Sequence, residues 1–335
     1  ILFSVFILLL GLALLNYGSD WFVVGSSKVA KHLNVSNFVI GATVVAFGTS
    51  LPEIITSVYA SYIGSTGIAV GNSLGSNIAN IGLILGLSAI LAPIYIKKKN
   101  ILKNGYIYLL FTIIAFILGY DGFNLIDGIL LFIMLISYII YTIKKGGCCD
   151  EIGGDNGSMV KSVLFTILGL LAVIIGSSFF VSGAKDIALF LGISDKIIGF
   201  TLVAFGTSLP ELVVSLTAVK RKLGDMVIGN IIGSNIANIG GALALASIIR
   251  PISKVPFEMS VNLLLTLLMV AFMSKHIIEL FSKKNKDKPD NKKENDRNNK
   301  RNNNNETIYS KINRIDGTIL LLIYLGFILF ISNII

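Results

Sequence analysis

Histidine and cysteine are nearly absent, with two of each in 335 residues. Soft metals are held by thiolates and imidazoles, so a zinc or copper centre has too few ligands here. The two cysteines, Cys148 and Cys149, are adjacent in a polar loop. That placement suits neither an unstrained disulfide between them nor a zinc site, and both are read as structurally incidental. Charge is scarce as well: 14% of the residues are Asp, Glu, Lys or Arg against 54% hydrophobic, and the mean hydropathy is +0.80. This balance excludes a soluble domain. Short alternating strands are missing too, which leaves helices as the backbone form that satisfies its own hydrogen bonds in lipid.

What the chain has instead is ten apolar runs near the length of about 20 residues that crosses the hydrocarbon. They cover approximately 1–25, 37–62, 67–95, 104–119, 124–143, 162–190, 195–219, 225–249, 258–274 and 315–335. The expected fold class is an all-α polytopic membrane protein of ten transmembrane helices. The chain opens on Ile1, so its true start is expected to be trimmed, and no cleavable signal peptide is expected. The net charge of +9 is a matter of topology, not of nucleic acid. When loops are assigned alternately to two sides, Lys28, Lys31, Lys97, Lys103, Lys144, Lys161, Lys220, Arg221, Lys222 and the basic residues between Lys275 and Arg314 share one side. Lys185, Lys196, Arg250 and Lys254 fall on the other. The positive-inside rule makes the first side cytoplasmic and puts both termini outside, in a multi-pass protein of the cell membrane.

Within the second run stands Gly41-Ala42-Thr43-Val44-Val45-Ala46-Phe47-Gly48-Thr49-Ser50-Leu51-Pro52-Glu53. An ionised group inside lipid is expensive and marks a functional site by default. Nearly the same words return as Gly199 to Glu211, 158 residues later. A second signature, Gly71-Asn72-Ser73-Leu74-Gly75-Ser76-Asn77-Ile78-Ala79-Asn80-Ile81-Gly82, returns at the same displacement as Gly229 to Gly240. Even the fifth run has an echo, Ile126-Asp127-Gly128 against Ile315-Asp316-Gly317. Residues 1–143 thus form a first repeat, 144–161 a cytoplasmic linker and 162–335 a second repeat. Five spans per repeat is an odd number, so the second copy enters from the opposite side and the repeats are inverted, as in secondary transporters.

Two features lie outside this scheme. Asp20, beside Trp21 near the end of the first run, is either a proton or ion relay or an interfacial, helix-paired acid. The Asn- and Lys-rich insert at about 282–310 is too polar to bury and is expected to be a disordered cytoplasmic loop.

Proline cannot donate a backbone hydrogen bond and clashes with the carbonyl four residues back, so Pro52 and Pro210 predict helix breaks with open carbonyls. Such carbonyls are tolerated at membrane depth only beside a cavity or a partner. On a helical grid Glu53 lies one turn from Thr49, Ser50 and Ser57, and Glu211 repeats this with Thr207, Ser208 and Ser215. Asn72, Ser76 and Asn80 share a face of the third run, as do Asn230, Ser234 and Asn238 of the eighth. Oxygen and amide ligands without Cys or His suit hard cations. Two glutamates neutralise one Ca²⁺, and Na⁺ uses similar oxygens.

The paired Gly-Thr-Ser-Leu-Pro-Glu and Gly-Ser-Asn-Ile-Ala-Asn segments resemble the two α-repeats of the cation/Ca²⁺ exchanger superfamily, closest to archaeal Na⁺/Ca²⁺ exchangers. The resemblance covers all ten spans and fails only in the Asn-rich loop. It implies one Ca²⁺ site and several Na⁺ sites worked by alternating access. Carried over by position, it assigns Ca²⁺ to Thr49, Glu53, Thr207 and Glu211. One Na⁺ site uses Ala46 through its carbonyl, Thr49, Ser50, Glu53 and Ser76; its twin uses Ala204, Thr207, Ser208, Glu211 and Ser234. The central polar pair is Asn80 and Asn238, where the family has aspartate at the second position. If the family's aspartate stays protonated, Asn238 mimics it; if it ionises, this chain binds fewer cations or prefers others.

The expected function is therefore Na⁺-driven Ca²⁺ antiport that expels Ca²⁺, by a protein that is not an enzyme and has no cofactor. Its expected partners are the lipid bilayer and the transported ions, without nucleic acid, and it is expected to work as a monomer. A H⁺/Ca²⁺ exchanger and a passive cation channel are the alternatives; an ion sensor would need a soluble partner domain that the sequence does not contain.

Overall fold

The first and sixth runs fold as helices over Leu2–His32 and Met159–Phe190. At about 1.5 Å per residue, each is longer than a perpendicular crossing of the hydrocarbon requires. They run antiparallel and meet along glycines spaced seven apart, Gly11, Gly18 and Gly25 on one helix and Gly169, Gly176 and Gly183 on the other. A Cβ at Gly169 would lie 2.4 Å from the backbone nitrogen of Phe22, and one at Gly11 2.5 Å from that of Phe180. Only hydrogen fits, so the two backbones approach as in small-residue membrane packing.

This computed structural model describes residues 2–97, 101–145, 158–192, 204–286 and 309–334. Among them, eight helices are long and apolar enough to cross a membrane. The other two expected spans are also helical. The seventh is present as Ala204–Thr207 and Leu209–Lys220, its start lying outside the described residues, and the tenth as Arg314–Ile334. The third span, Thr66–Leu91, and the eighth, Gly224–Ile249, are largely buried, whereas the first, fifth and sixth turn side chains such as Phe6, Ile133 and Leu168 outward. Apolar outer faces of that extent suit lipid rather than water.

The loops carry structure that hydropathy does not reveal. Strand β1, Ile94–Lys97, pairs antiparallel with β2, Tyr309–Ile312, with Ile94 opposite Ile312. An isolated bridge joins Phe123 to Ile252. These are matching contacts made twice between the halves, since Ile252 stands where Ile94 does in the other half and Phe123 where Ile312 does. The fifth and tenth spans open alike. Asn124 Oδ1 accepts from the Asp127 amide and Asp127 Oδ2 from the Asn124 amide; Asn313 and Asp316 do the same at 2.9 and 3.0 Å. Reciprocal caps of this kind satisfy orphan amides of a helix start, so both acids have structural work. Helix Pro256–Lys286 extends past 282 and β2 begins at Tyr309. Residues 287–308 of the expected polar insert, like Cys148 and Cys149, lie outside the described residues.

Candidate functional site

The second span is assembled from Asn37–Ile40, a π-helical turn Gly41–Val45 and the helix Ala46–Tyr62. The break expected at Pro52 is not there: the proline sits inside a continuous helix. A π turn ahead of it takes up an extra residue, the kind of local adjustment that re-satisfies backbone groups around a membrane proline. The second copy does break. Ser208 separates the short helix Ala204–Thr207 from Leu209–Lys220, which has Pro210 as its second residue and carries Glu211 in its first turn. A carboxylate there faces the positive end of the helix dipole. The third and eighth spans have π turns at Asn80–Leu85 and Asn238–Leu243, so each member of the central pair opens such a turn. Single π turns inside helices recur at functional sites.

These elements bring the two glutamates together in the interior. Glu53 and Glu211 are 0% and 2% exposed. Ser50 Oγ donates to Glu211 Oε1 at 3.1 Å, across the repeats. Other site residues cross as well: Ser208 Oγ lies 3.3 Å from Ser76 Oγ, and Ser234 Oγ reaches the Ala46 carbonyl at 3.5 Å. Thr49 Oγ1 donates back to the Val45 carbonyl at 3.1 Å. Thr207 and Ala204 belong to the short helix before the break. Each of the assigned groups thus sits on the second, third, seventh or eighth span, and the two Na⁺ sets inferred from the resemblance interleave rather than stand apart.

Not every polar residue of the two motifs faces the site. Ser57 Oγ is bound to the Ala69 carbonyl, to Ser73 and to Asn72, whose amide also donates to the Glu53 backbone carbonyl at 2.9 Å. Asn230 donates likewise to Ser215 at 3.1 Å. These four residues, placed on the ion face by helical spacing, are interhelical ties, because a buried hydroxyl or amide must find a partner. Asp20 is a helix-paired acid: Arg221 Nε donates to its Oδ1 at 2.8 Å and the guanidinium holds both oxygens.

Several buried polar atoms of the cluster have no hydrogen-bond partner among the described residues. Both carboxyl oxygens of Glu53, Oε2 of Glu211, Oδ1 of Asn80 and both amide atoms of Asn238 are buried in that condition. Buried polar groups in this state are costly unless something else completes them. Oxygens dominate the set, and no group of three His, Cys, Asp or Glu side chains gathers among the described residues, so the local acid count stays at two. A hard cation of one or two charges fits such donors.

Three residues of the interior were invisible to the motif argument. Asn77 donates to the Asn235 carbonyl at 3.2 Å, Asn80 donates to Asn235 Oδ1 at 2.8 Å, and Asn235 donates to the Tyr108 hydroxyl at 2.8 Å. The two asparagines stand inside the second signature, where the repeated Gly-Ser-Asn was the available signal; Tyr108, on the fourth span, had none.

The chain is 58% identical over 266 residues to the uncharacterized membrane protein MJ0091 of Methanocaldococcus jannaschii, covering 79% of this chain and 88% of that protein. It is 34% identical over 316 residues to the sodium/calcium exchanger MaX1 of Methanosarcina acetivorans, covering 80% and 90%. A solved structure of the sodium-calcium exchanger NCX_Mj, soaked with zero Na⁺ and Ca²⁺, matches with a TM-score of 0.82 at 50% identity over 97% of this chain and 98% of that one. The model of the sodium/calcium exchanger protein family matches residues 3–144 and 161–333, and the chain belongs to that family.

Proposed function

We propose that the protein is a secondary antiporter that exchanges Na⁺ for Ca²⁺ and extrudes Ca²⁺ from the cytoplasm. The observation that carries this reading is the buried pair Glu53 and Glu211, contributed by opposite halves, linked through Ser50 and left with three carboxyl oxygens unpartnered among the described residues. In the Ca²⁺ state Glu53 and Glu211 neutralise one divalent ion, with Thr49 and Thr207 completing the shell. In the Na⁺ state the same carboxylates serve two sets, Ala46, Thr49, Ser50 and Ser76 around Glu53, and Ala204, Thr207, Ser208 and Ser234 around Glu211. Asn80 and Asn238 form the uncharged middle. Because one ligand set serves both ions, they compete, and exchange follows without a separate coupling device.

The two halves are inverted repeats about a pseudo-twofold axis. Contacts between equivalent residues support this, since Asn77 meets Asn235 and Tyr108 meets Thr266, each pair 158 residues apart. Residues paired by charge also fall on one side in the proposed topology: Asp121 with Lys254 outside, Asp20 with Arg221 inside. Alternating access comes from the first and sixth spans moving as one body over the rest. The glycine seam supports their unity; the polar ties between this pair and the seventh span include Ser177 to the Gly206 carbonyl, Ser19 to Thr217, and the half-exposed Asp20–Arg221 pair, a surface pair that holds weakly. The protein works as a monomer.

The deciding experiment uses proteoliposomes loaded with Na⁺ and given radioactive Ca²⁺ outside. Uptake is expected only with an outward Na⁺ gradient. Equal uptake driven by a pH gradient alone would establish a H⁺/Ca²⁺ exchanger instead, and uptake without any gradient a channel.

A further inference from the structure

A chain of hydrogen bonds runs from the ninth span to the central pair, and its donors give it a direction. Thr266 Oγ1 lies 2.8 Å from the backbone carbonyl of Asn262 and 3.0 Å from the Tyr108 hydroxyl. Thr266 is the donor in both contacts, sharing its one hydrogen between the Asn262 carbonyl and the Tyr108 hydroxyl. Tyr108 also accepts from Asn235, whose Nδ2 is 2.8 Å away. That orientation aims Asn235 Oδ1 at Asn80, and Asn80 Nδ2 donates to it at 2.8 Å. The end of Asn80 left over is Oδ1, buried and without a partner among the described residues. All five residues are buried, so bulk water does not compete for these bonds. An amide's two ends look alike in shape, and only such a network tells them apart.

The other half has no equivalent chain. Asn77, the counterpart of Asn235, donates to the Asn235 backbone carbonyl, and neither amide atom of Asn238 is bonded among the described residues. One member of the central pair is oriented by its surroundings and the other is not.

We propose that Tyr108, acting with Thr266 and through Asn235, is a positioning residue that presents the carbonyl end of Asn80, rather than its NH₂ end, to the transported cation. This rests on the exchange reading above. Without the tyrosine hydroxyl, Asn235 is free to turn over, Asn80 turns with it, and an N–H dipole points its positive end at the ion.

The test measures equilibrium binding of radioactive Ca²⁺ to the detergent-solubilised protein, a readout that needs no transport. Tyr108→Phe and Thr266→Val are each expected to weaken binding by about threefold to tenfold, the worth of one oriented hydrogen bond. Combined, they are expected to do no more than either alone, because both cut the same chain. Thr266→Ser keeps the hydroxyl and is expected to bind as the unaltered protein does. Unchanged affinity in Tyr108→Phe, losses that multiply in the double variant, or a Thr266→Ser as weak as Thr266→Val would each overturn the proposal. A lowered Tm with unchanged Ca²⁺ affinity would mark the chain as structural only. Failure of Na⁺-driven uptake by the unaltered protein in liposomes would strike the exchange reading separately.

Discussion

Ser50 and Ser57 lie on one helix of the second span and have the same chemistry but different partners. Ser50 donates to a Glu211 oxygen, whereas Ser57 is tied to the third span by three groups. Ser50→Ala is therefore expected to raise the Ca²⁺ KM by about threefold to tenfold, since it frees one carboxyl oxygen from a fixed orientation. Ser57→Ala is expected to leave KM alone and to lower the Tm, because it removes a hydrogen-bond partner of buried Ser73 and of the half-buried Asn72 amide, at a cost of about 1–3 kcal/mol. Ion competition in liposomes and thermal unfolding in detergent distinguish the two. At the glutamates the expected effect is larger. Glu53→Gln and Glu211→Gln each remove half of the acid charge of the cluster, and each is expected to abolish Ca²⁺ exchange while the protein still folds. Normal exchange by either variant would refute the assigned site.

At the scale of the element, the seam between the first and sixth spans is the most sharply constrained contact. A Cβ at Gly169 meets backbone atoms of the opposing helix, Phe22 nitrogen at 2.4 Å and Gly18 oxygen at 2.8 Å, and backbone cannot rotate away as a side-chain tip can. Gly169→Ala is expected to destabilise by about 1–3 kcal/mol, the usual cost of overpacking. At Gly326 a Cβ would meet nothing within 4 Å, so Gly326→Ala is expected to be neutral or slightly stabilising. The Tm difference between the two variants measures the seam. A Gly169→Ala protein as stable as Gly326→Ala would mean that the helices are farther apart than the geometry requires.

For the whole molecule, the proposed sidedness rests on charge. In a background with Cys148 and Cys149 replaced by Ser, an impermeant thiol reagent added to intact cells is expected to label Lys254→Cys and to spare Lys31→Cys and Lys222→Cys. The opposite pattern would invert the topology and with it the direction of transport. The pairing of Asp121 with Lys254 and of Asp20 with Arg221 adds weight, since each pair lies within one side of the proposed arrangement.

The sequence by itself determined that this is a helical membrane protein, because 54% hydrophobic residues in runs long enough to span the bilayer have no other stable home. It also determined that two motifs return at a fixed displacement, which puts Glu53 and Glu211 at matching positions. Periodicity could not say which polar side chains face an ion and which face a neighbouring helix. Ser50 and Ser57 share a helical face, and only the packing of the third span against that face decided that Ser57 and Asn72 bind each other. The tertiary structure likewise decided that the second span carries Pro52 without a break while the seventh divides at Ser208, a difference that two nearly identical motifs cannot encode locally. It decided the place of Tyr108 too, for nothing in a lone tyrosine of the fourth span foretells that its hydroxyl reaches the asparagines of the eighth. Local sequence fixes what a residue can donate or accept; which partner it meets depends on chain segments more than a hundred residues away.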